Sequence, residues 1–322
     1  MNPRERVSTA LHLGQPDRVP WCELTIDPQV AGRVMGCDHT PDEFEIAHAL
    51  GKDNVTYWGA VCPFWVESEK SSTGRAFSER GLIHSEADLA LMQFPDPTDE
   101  AYYAPAREFL ARETDRARCA VMFLGIDPTW RSMGIDGFSY ALADNPRLVE
   151  EVLDRYVEWH CEVAVRLCAL DFDFIWAADD IAHSQGPLFS PTVYHDLIVP
   201  RIRKVAERIT KPWIYHSDGN LLPVIEDYLS LRENGIHPLE PYSMDIFAFK
   251  RHYGPRVCVC GNVDINTLTL GTPDAVQREV EEKIARLAPG GGYIIGSSNS
   301  VPSFAKPENL EAMARAIAAA GL

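Results

Sequence analysis

The chain contains no Cys-x-x-Cys pair: its eight cysteines, at 22, 37, 62, 119, 161, 168, 258 and 260, are scattered through 322 residues. No disulfide framework or dithiol motif is legible in that spacing, and no secretory signal precedes it, so free thiols in a reducing cytoplasm are expected. Long apolar runs are also missing. None approaches the ~20 residues needed to span a bilayer, which gives no basis for membrane insertion. Positive charge is scarce: 30 Lys plus Arg stand against 47 Asp plus Glu, a net charge of −17. Such a surface repels nucleic acid and anionic membranes at long range. The Pro-Gly-Gly-Gly-Tyr stretch at 289–293 precedes a strand pattern instead of opening a helix, so it is not a phosphate-cradling loop. No fixed-period repeat is present.

What the chain does contain is centred on residues 212–220, Pro-Trp-Ile-Tyr-His-Ser-Asp-Gly-Asn. An apolar β-type run leads directly into His216, Asp218 and a glycine, the way a buried strand delivers polar groups at its carboxyl end. On an extended backbone His216 and Asp218 point the same way, with Cα atoms roughly 6–7 Å apart. Two readings stand side by side: functional groups, or an ordinary strand end whose polar side chains satisfy loop backbone.

The same beat recurs along the chain. Apolar strand patterns occur at 19–24, 54–59, 119–125, 172–180, 213–215, 235–240, 257–264 and 291–299, each followed by helical sequence. Asn2 and Pro3 open an additional helix ahead of the first strand. Eight alternating units predict an α/β fold, a single (β/α)8 barrel over 1–322 with an N-terminal helix. Residues from about 60 to 97 break the rhythm and predict an inserted antiparallel excursion or lid.

In a barrel, strand ends far apart in sequence meet at one mouth. The set here is Glu23, Asp179, Asp180, His216, Asp218, Glu240, Asn262, Asp264 and Asn299. One imidazole among carboxylates can bind a divalent metal through N and O donors, or run acid–base chemistry with one carboxyl raised by its neighbours. About half of such strand-end residues are expected to cap the following helix instead. Alternation sends Asp179 and Asp180 to opposite faces, so one of them looks into the mouth. Cys258 and Cys260 lie inside an apolar run and read as small core residues, with a soft metal site as the alternative. His183, His195 and His237 are weaker candidates. Trp58, Phe64, Trp65 and Trp130 can line an apolar substrate pocket or serve packing alone.

The chain resembles the uroporphyrinogen decarboxylase superfamily along nearly its whole length: Arg-Glu-Arg-Val at 4–7, Pro-Asp-Arg-Val-Pro at 16–20, Gly-Pro-Leu-Phe-Ser-Pro at 186–191, His-Ser-Asp-Gly-Asn at 216–220, Gly-Asn-Val-Asp at 261–264 and Pro-Glu-Asn-Leu-Glu-Ala-Met at 307–313. The resemblance implies the barrel, and it implies either a cofactor-free porphyrinogen decarboxylase or a zinc-dependent methyltransferase serving a corrinoid protein. The chain departs from both patterns. The arginine-rich loop that holds substrate carboxylates in the decarboxylases is replaced by Glu23-Leu-Thr-Ile-Asp27, which would repel a polyanionic tetrapyrrole. The decarboxylases' histidine near the last strand aligns with Asn299, and their tyrosine falls near Ile135. Of the methyltransferases' His-x-Cys and later Cys ligands, His216 is kept, Asp218 stands for the first Cys, and Asn299 lies at or beside the second.

These departures imply a hard N/O site, with His216, Asp218 and Glu240 as expected ligands of zinc or another divalent ion, or an Asp179/Asp180 carboxylate in place of Glu240. Asp218, Asp180 and Glu23 are the expected catalytic groups, and Trp58, Phe64, Trp65, Trp130, Asn262 and Asn299 the expected substrate contacts. The leading expectation is methyl transfer from a small methoxy or methylamine type of compound to a corrinoid carried by a partner protein, in a chain that forms a homodimer as barrels of this size often do. The rivals are a metal-free lyase using Asp218 on a carboxylated substrate, and a barrel that only binds a ligand or a corrinoid protein.

Overall fold

Short runs dominated by apolar residues form strands largely buried on both faces. Seven do so in the computed structural model, which describes residues 1–59, 62–70 and 76–320: Asn54–Tyr57, Ala117–Met122, Phe174–Ala178, Trp213–His216, Gly235–His237, Cys258–Cys260 and Tyr293–Ile294. Each pairs in parallel with the next in sequence, giving one curled sheet with helices on its connections. Large side chains such as Trp176, Phe174 and Tyr215 are fully buried in the core. Each such burial contributes about 1.5–3 kcal/mol.

The eighth expected strand, 19–24, is reduced to a single bridge, Trp21 with Ile295. Its backbone still bonds on both sides: Cys22 N donates to the Ile295 carbonyl at 3.0 Å, and Asp53 N to the Trp21 carbonyl at 2.7 Å. Pro20 has no N–H to give. The Asn54 side chain then replaces a strand backbone, accepting from Glu23 N at 3.1 Å and donating to the Glu23 carbonyl at 3.0 Å. A side-chain amide offers one donor and one acceptor at backbone-like spacing, which is why this seam holds without a regular ladder.

Register decides what meets at the mouth. Ala178 pairs with His216 and His216 with His237, so the ends of three neighbouring strands form one rung. Residues on one rung of a parallel pair project to the same face.

Several connections are less regular than a single continuous helix. Residues 129–143 form two helices, Ile126–Met133 and Ile135–Asp144, parted by Gly134 at φ 72°. Residues 221–233 hold only a short 3-10 turn, Leu222–Val224, and one turn of helix, Ile225–Leu229. Within 98–116 the regular helix is Ala104–Ala111. The excursion contains an antiparallel hairpin, Val66–Lys70 with Ala76–Gly81, while 60–61 and 71–75 lie outside the described residues. The hairpin closes against helix Ile126–Met133 at Gly81, where a Cβ would stand 2.1 Å from Gly134 N. All eight cysteines are free, and the Cys258 and Cys260 sulfurs touch at 3.9 Å in the core. Among the described residues no helix is long and apolar enough to cross a membrane.

Candidate active site

Strand Phe174–Ala178 ends in two carboxylates that separate. Asp179 turns inward, is fully buried, and accepts from the backbone N–H groups of Leu124 at 2.9 Å, Gly125 at 3.0 Å and Asp127 at 3.0 Å. It therefore caps helix Ile126–Met133 from a neighbouring strand. Burial nevertheless holds its carboxyl up, at about 7. Asp180 turns to the mouth, where it accepts from Asp218 N at 3.0 Å, while its carbonyl is held by Trp130 Nε1 at 2.8 Å.

The adjacent strand brings His216, with Nε2 3.5 Å from Asp180 Oδ1 and 3.7 Å from Asp218 Oδ1. One donor atom from each of these three residues lies within 4.8 Å of the others. Asn299 donates to Asp218 Oδ2 at 2.6 Å, and Asp218 Oδ1 is buried with no hydrogen-bond partner. Burial first, and then the proximity of Asp180 and Glu240, raises the Asp218 carboxyl to about 7 against the opposing pull of His216. Gly219, at φ 88°, permits the turn: a Cβ there would stand 2.5 Å from the His183 carbonyl.

A buried anionic oxygen without a donor costs free energy unless a cation or proton satisfies it. An imidazole nitrogen and two carboxylates converging on one point form a hard donor set for zinc or a similar divalent cation. The residues present thus fit the metal that the resemblance implies. The second carboxylate of the cluster is that of Asp180, while Glu240 Oε2 accepts from Gly219 N at 2.9 Å and Ser243 Oγ at 3.0 Å.

The other expected residues are distributed as follows. Glu23 is fully buried and saturated, accepting from Trp21 Nε1 at 2.7 Å, Ser297 N at 2.8 Å and Ser297 Oγ at 2.6 Å. Burial raises it to about 7 even so. Its donors, Trp21 and Ser297, bind it where the 19–24 segment meets the last strand. Asn262 is buried at φ 93°, accepts from Tyr293 Oη at 3.2 Å, and leaves Nδ2 without a partner. Asp264 caps helix Ile265–Leu270 through Asn266 N at 2.8 Å. Trp130 adjoins the site through Asp180, whereas Trp65 packs its ring on Phe94 and Tyr156, an aromatic cluster beneath the hairpin. Phe64 meets Phe123 edge-on and carries the Arg131 guanidinium over its face at 4.7 Å. Trp58 is 41% exposed, its Nε1 3.4 Å from the Leu24 carbonyl.

Two residues gain weight that the sequence did not give them. His237, a weak candidate by sequence, stacks on His216 with Nδ1 to Nδ1 at 2.7 Å. Burial first, and then the proximity of Asp180, raises the Asp127 carboxyl well above the usual range, and Arg131 lies 3.7 Å away. Only strand register could have revealed the first. The second carried a sequence signal, a carboxylate just past an apolar strand.

Comparison with known proteins bears on this geometry. The family described as uroporphyrinogen decarboxylase (URO-D) matches residues 82–320. The uroporphyrinogen decarboxylase of Methylococcus capsulatus is 24% identical over 98% of this chain and 87% of its own length. The methylated-thiol–coenzyme M methyltransferase of Methanosarcina mazei is 24% identical over 57% of this chain and 48% of that protein. The chain spans 37% and 40% of two further decarboxylases that it matches, from Shewanella pealeana and Methylobacillus flagellatus. In fold, a methyltransferase from Methanosarcina mazei superposes with a TM-score of 0.75 at 21% identity, covering 99% of this chain and 98% of that one.

Proposed function

Because the chain belongs to the uroporphyrinogen decarboxylase family, we propose that it is a metal-assisted, methyltransferase-like enzyme that moves a methyl group from a small methylated compound to a corrinoid carried by a partner protein. The observation that carries this reading is the convergence of Asp180, His216 and Asp218 around a buried carboxylate oxygen that lacks a donor. When bound there, zinc or a similar cation supplies Lewis-acid polarisation of the substrate's heteroatom.

The chain's own residues do the rest. Asn299 anchors one oxygen of Asp218 and so leaves the other for the site. Asp218 N fixes the Asp180 carboxylate, and Trp130 fixes its backbone. Two carboxylates and an imidazole favour oxygen or nitrogen over sulfur, so methoxy or methylamine donors suit the site better than thioethers. Trp130 and Phe64 provide apolar surface on the hairpin side of the mouth. In this reading residues 19–24 serve as the eighth stave of the barrel, joined through Trp21 and Asn54.

A second reading is favoured by one observation, the Asp218 carboxyl held at about 7. Such a group is half protonated near neutrality and suits a metal-free lyase acting on a carboxylated substrate. Elemental analysis of the purified protein decides between the two. About one equivalent of zinc or a related ion, lost in His216→Ala while the fold persists, supports the methyltransferase reading. A protein that neither carries nor reloads metal, yet turns over a carboxylated substrate, overturns it in favour of the lyase.

A further inference from the structure

A cavity of about 560 Å³ lies at the opposite end of the strands from His216 and Asp218. One wall is the last turn of helix Ile246–Tyr253 with Gly254 and Pro255, which lead into strand Cys258–Cys260. The other is the 289–291 loop, which leads into the neighbouring strand Tyr293–Ile294. Lys250, Arg251 and Arg286 line the cavity, and among the described residues that line it none is acidic. In a chain with 47 acidic residues against 30 basic ones, this composition runs opposite in sign to the whole.

A cation in the last turn of a helix ordinarily answers the helix dipole, and Lys250, Arg251 and Arg286 all hold that position. The dipole accounts for each of them singly. It does not require residues from two helices to meet at one hollow, or the hollow to be free of carboxylates. Two of the three are set in place by the fold. Lys250 Nζ donates to the carbonyls of Gly291 at 2.7 Å and Gly292 at 2.6 Å, which leaves its third N–H. The Arg286 guanidinium lies over the Phe247 ring, 3.3 Å from its centroid, and Nη1 donates to Glu282 Oε1 at 2.6 Å. Arg251 is exposed and forms no hydrogen bond or ion pair among the described residues. The nearby Asp245 is engaged in capping helix Ile246–Tyr253, through Phe247 N at 2.9 Å and Ala248 N at 3.0 Å.

Converging cations with N–H groups left to donate suit a phosphate, whose oxygens accept several charge-assisted bonds and which the arginine fork grips at two oxygens. The volume falls in the range of small-molecule sites and exceeds what a bare phosphate fills, and Pro255 and Pro289 add apolar wall for an organic remainder. We propose that this cavity binds a small phosphorylated compound, with Arg251 and Arg286 on the phosphate and Lys250 tying the glycine loop to the helix while adding positive charge. The glycine-rich stretch then serves an anion as one wall of a cavity lined by side-chain cations, in place of a helix-opening cradle. The proposal is independent of the metal-assisted reading, because no group at the mouth takes part.

The test is calorimetric titration of the full-length protein with phenyl phosphate and with inorganic phosphate, after chelator treatment so that no metal at the mouth takes the anion. Arg251→Ala and Arg286→Ala should each weaken phenyl phosphate binding by about 10- to 100-fold, the size of a lost hydrogen bond to a charged group. His216→Ala should bind it as the wild type does. Wild-type protein that binds neither phosphate at millimolar concentration overturns the proposal, as does Arg251→Ala with wild-type affinity. A loss in His216→Ala equal to that in Arg251→Ala would put the anion at the mouth and overturn it as well. Retention on phosphatidic acid vesicles without binding of either soluble phosphate would assign the basic residues to a membrane surface instead. Should Arg286→Ala fail to fold, Arg251→Ala, at an exposed and unpaired position, still decides.

Discussion

Two buried carboxylates at strand ends of the same curled sheet, Glu23 and Asp218, are both raised to about 7 by desolvation, yet their surroundings differ. Glu23 accepts three hydrogen bonds from Trp21 and Ser297, using both oxygens. Asp218 has one oxygen held by Asn299 and the other unpartnered beside His216. A perturbed pKa alone does not separate structure from function; the state of each oxygen does. A saturated carboxylate has its partners inside the fold, and an unsaturated one makes room for a ligand.

The comparison breaks if the two sites respond alike to mutation. The largest expected effect is on metal binding: Asp218→Ala and Asp180→Ala should each bring zinc content to background in elemental analysis with little change in melting temperature. Next, Glu23→Ala should leave zinc content intact and lower stability by about 3 kcal/mol in denaturant unfolding, because buried donors of Ser297 and Trp21 lose their acceptor. A milder change, Glu23→Gln, tests the protonation argument. A carboxyl raised from 4.5 to about 7 in the fold binds its proton more tightly folded than unfolded. Its contribution is therefore greatest below pH 4.5 and is lost as pH rises through 7. Removing it should flatten the fall in stability over pH 4.5–7 in a series of melting curves. The smallest effect is expected of Glu240→Gln, which keeps an oxygen for Gly219 N and Ser243 Oγ and should alter zinc affinity by less than about threefold. A loss as large as that of Asp180→Ala would restore Glu240 to the ligand set.

Much of the architecture was legible because strand signals are local. Apolar runs such as 172–178 and 213–215 announce strands buried on both faces, and their spacing announces the crossovers. The seam was not legible, since the part played by Asn54 depends on Glu23 lying opposite it across a gap left by Pro20. At the site, His216 and Asp218 stood out by sitting together at a strand end. Choosing between Asp180 and Glu240 as the third donor needed the loop after Gly235–His237 in three dimensions, where Glu240 turns back to Gly219. His237 was underweighted for the same reason: its meaning lies in a pairing across strands, and a single sequence does not state register. The split helices around Gly134 and the short turns at 222–229 show tertiary demands overriding helical periodicity.

The rung of Ala178, His216 and His237 carries one more consequence. Its three side chains stand side by side on one face of the sheet. Two are imidazoles, and the third, at Ala178, is only a methyl group and is 8% exposed. Position 178 is the place where an engineer, or a lineage, could install a further donor beside His216.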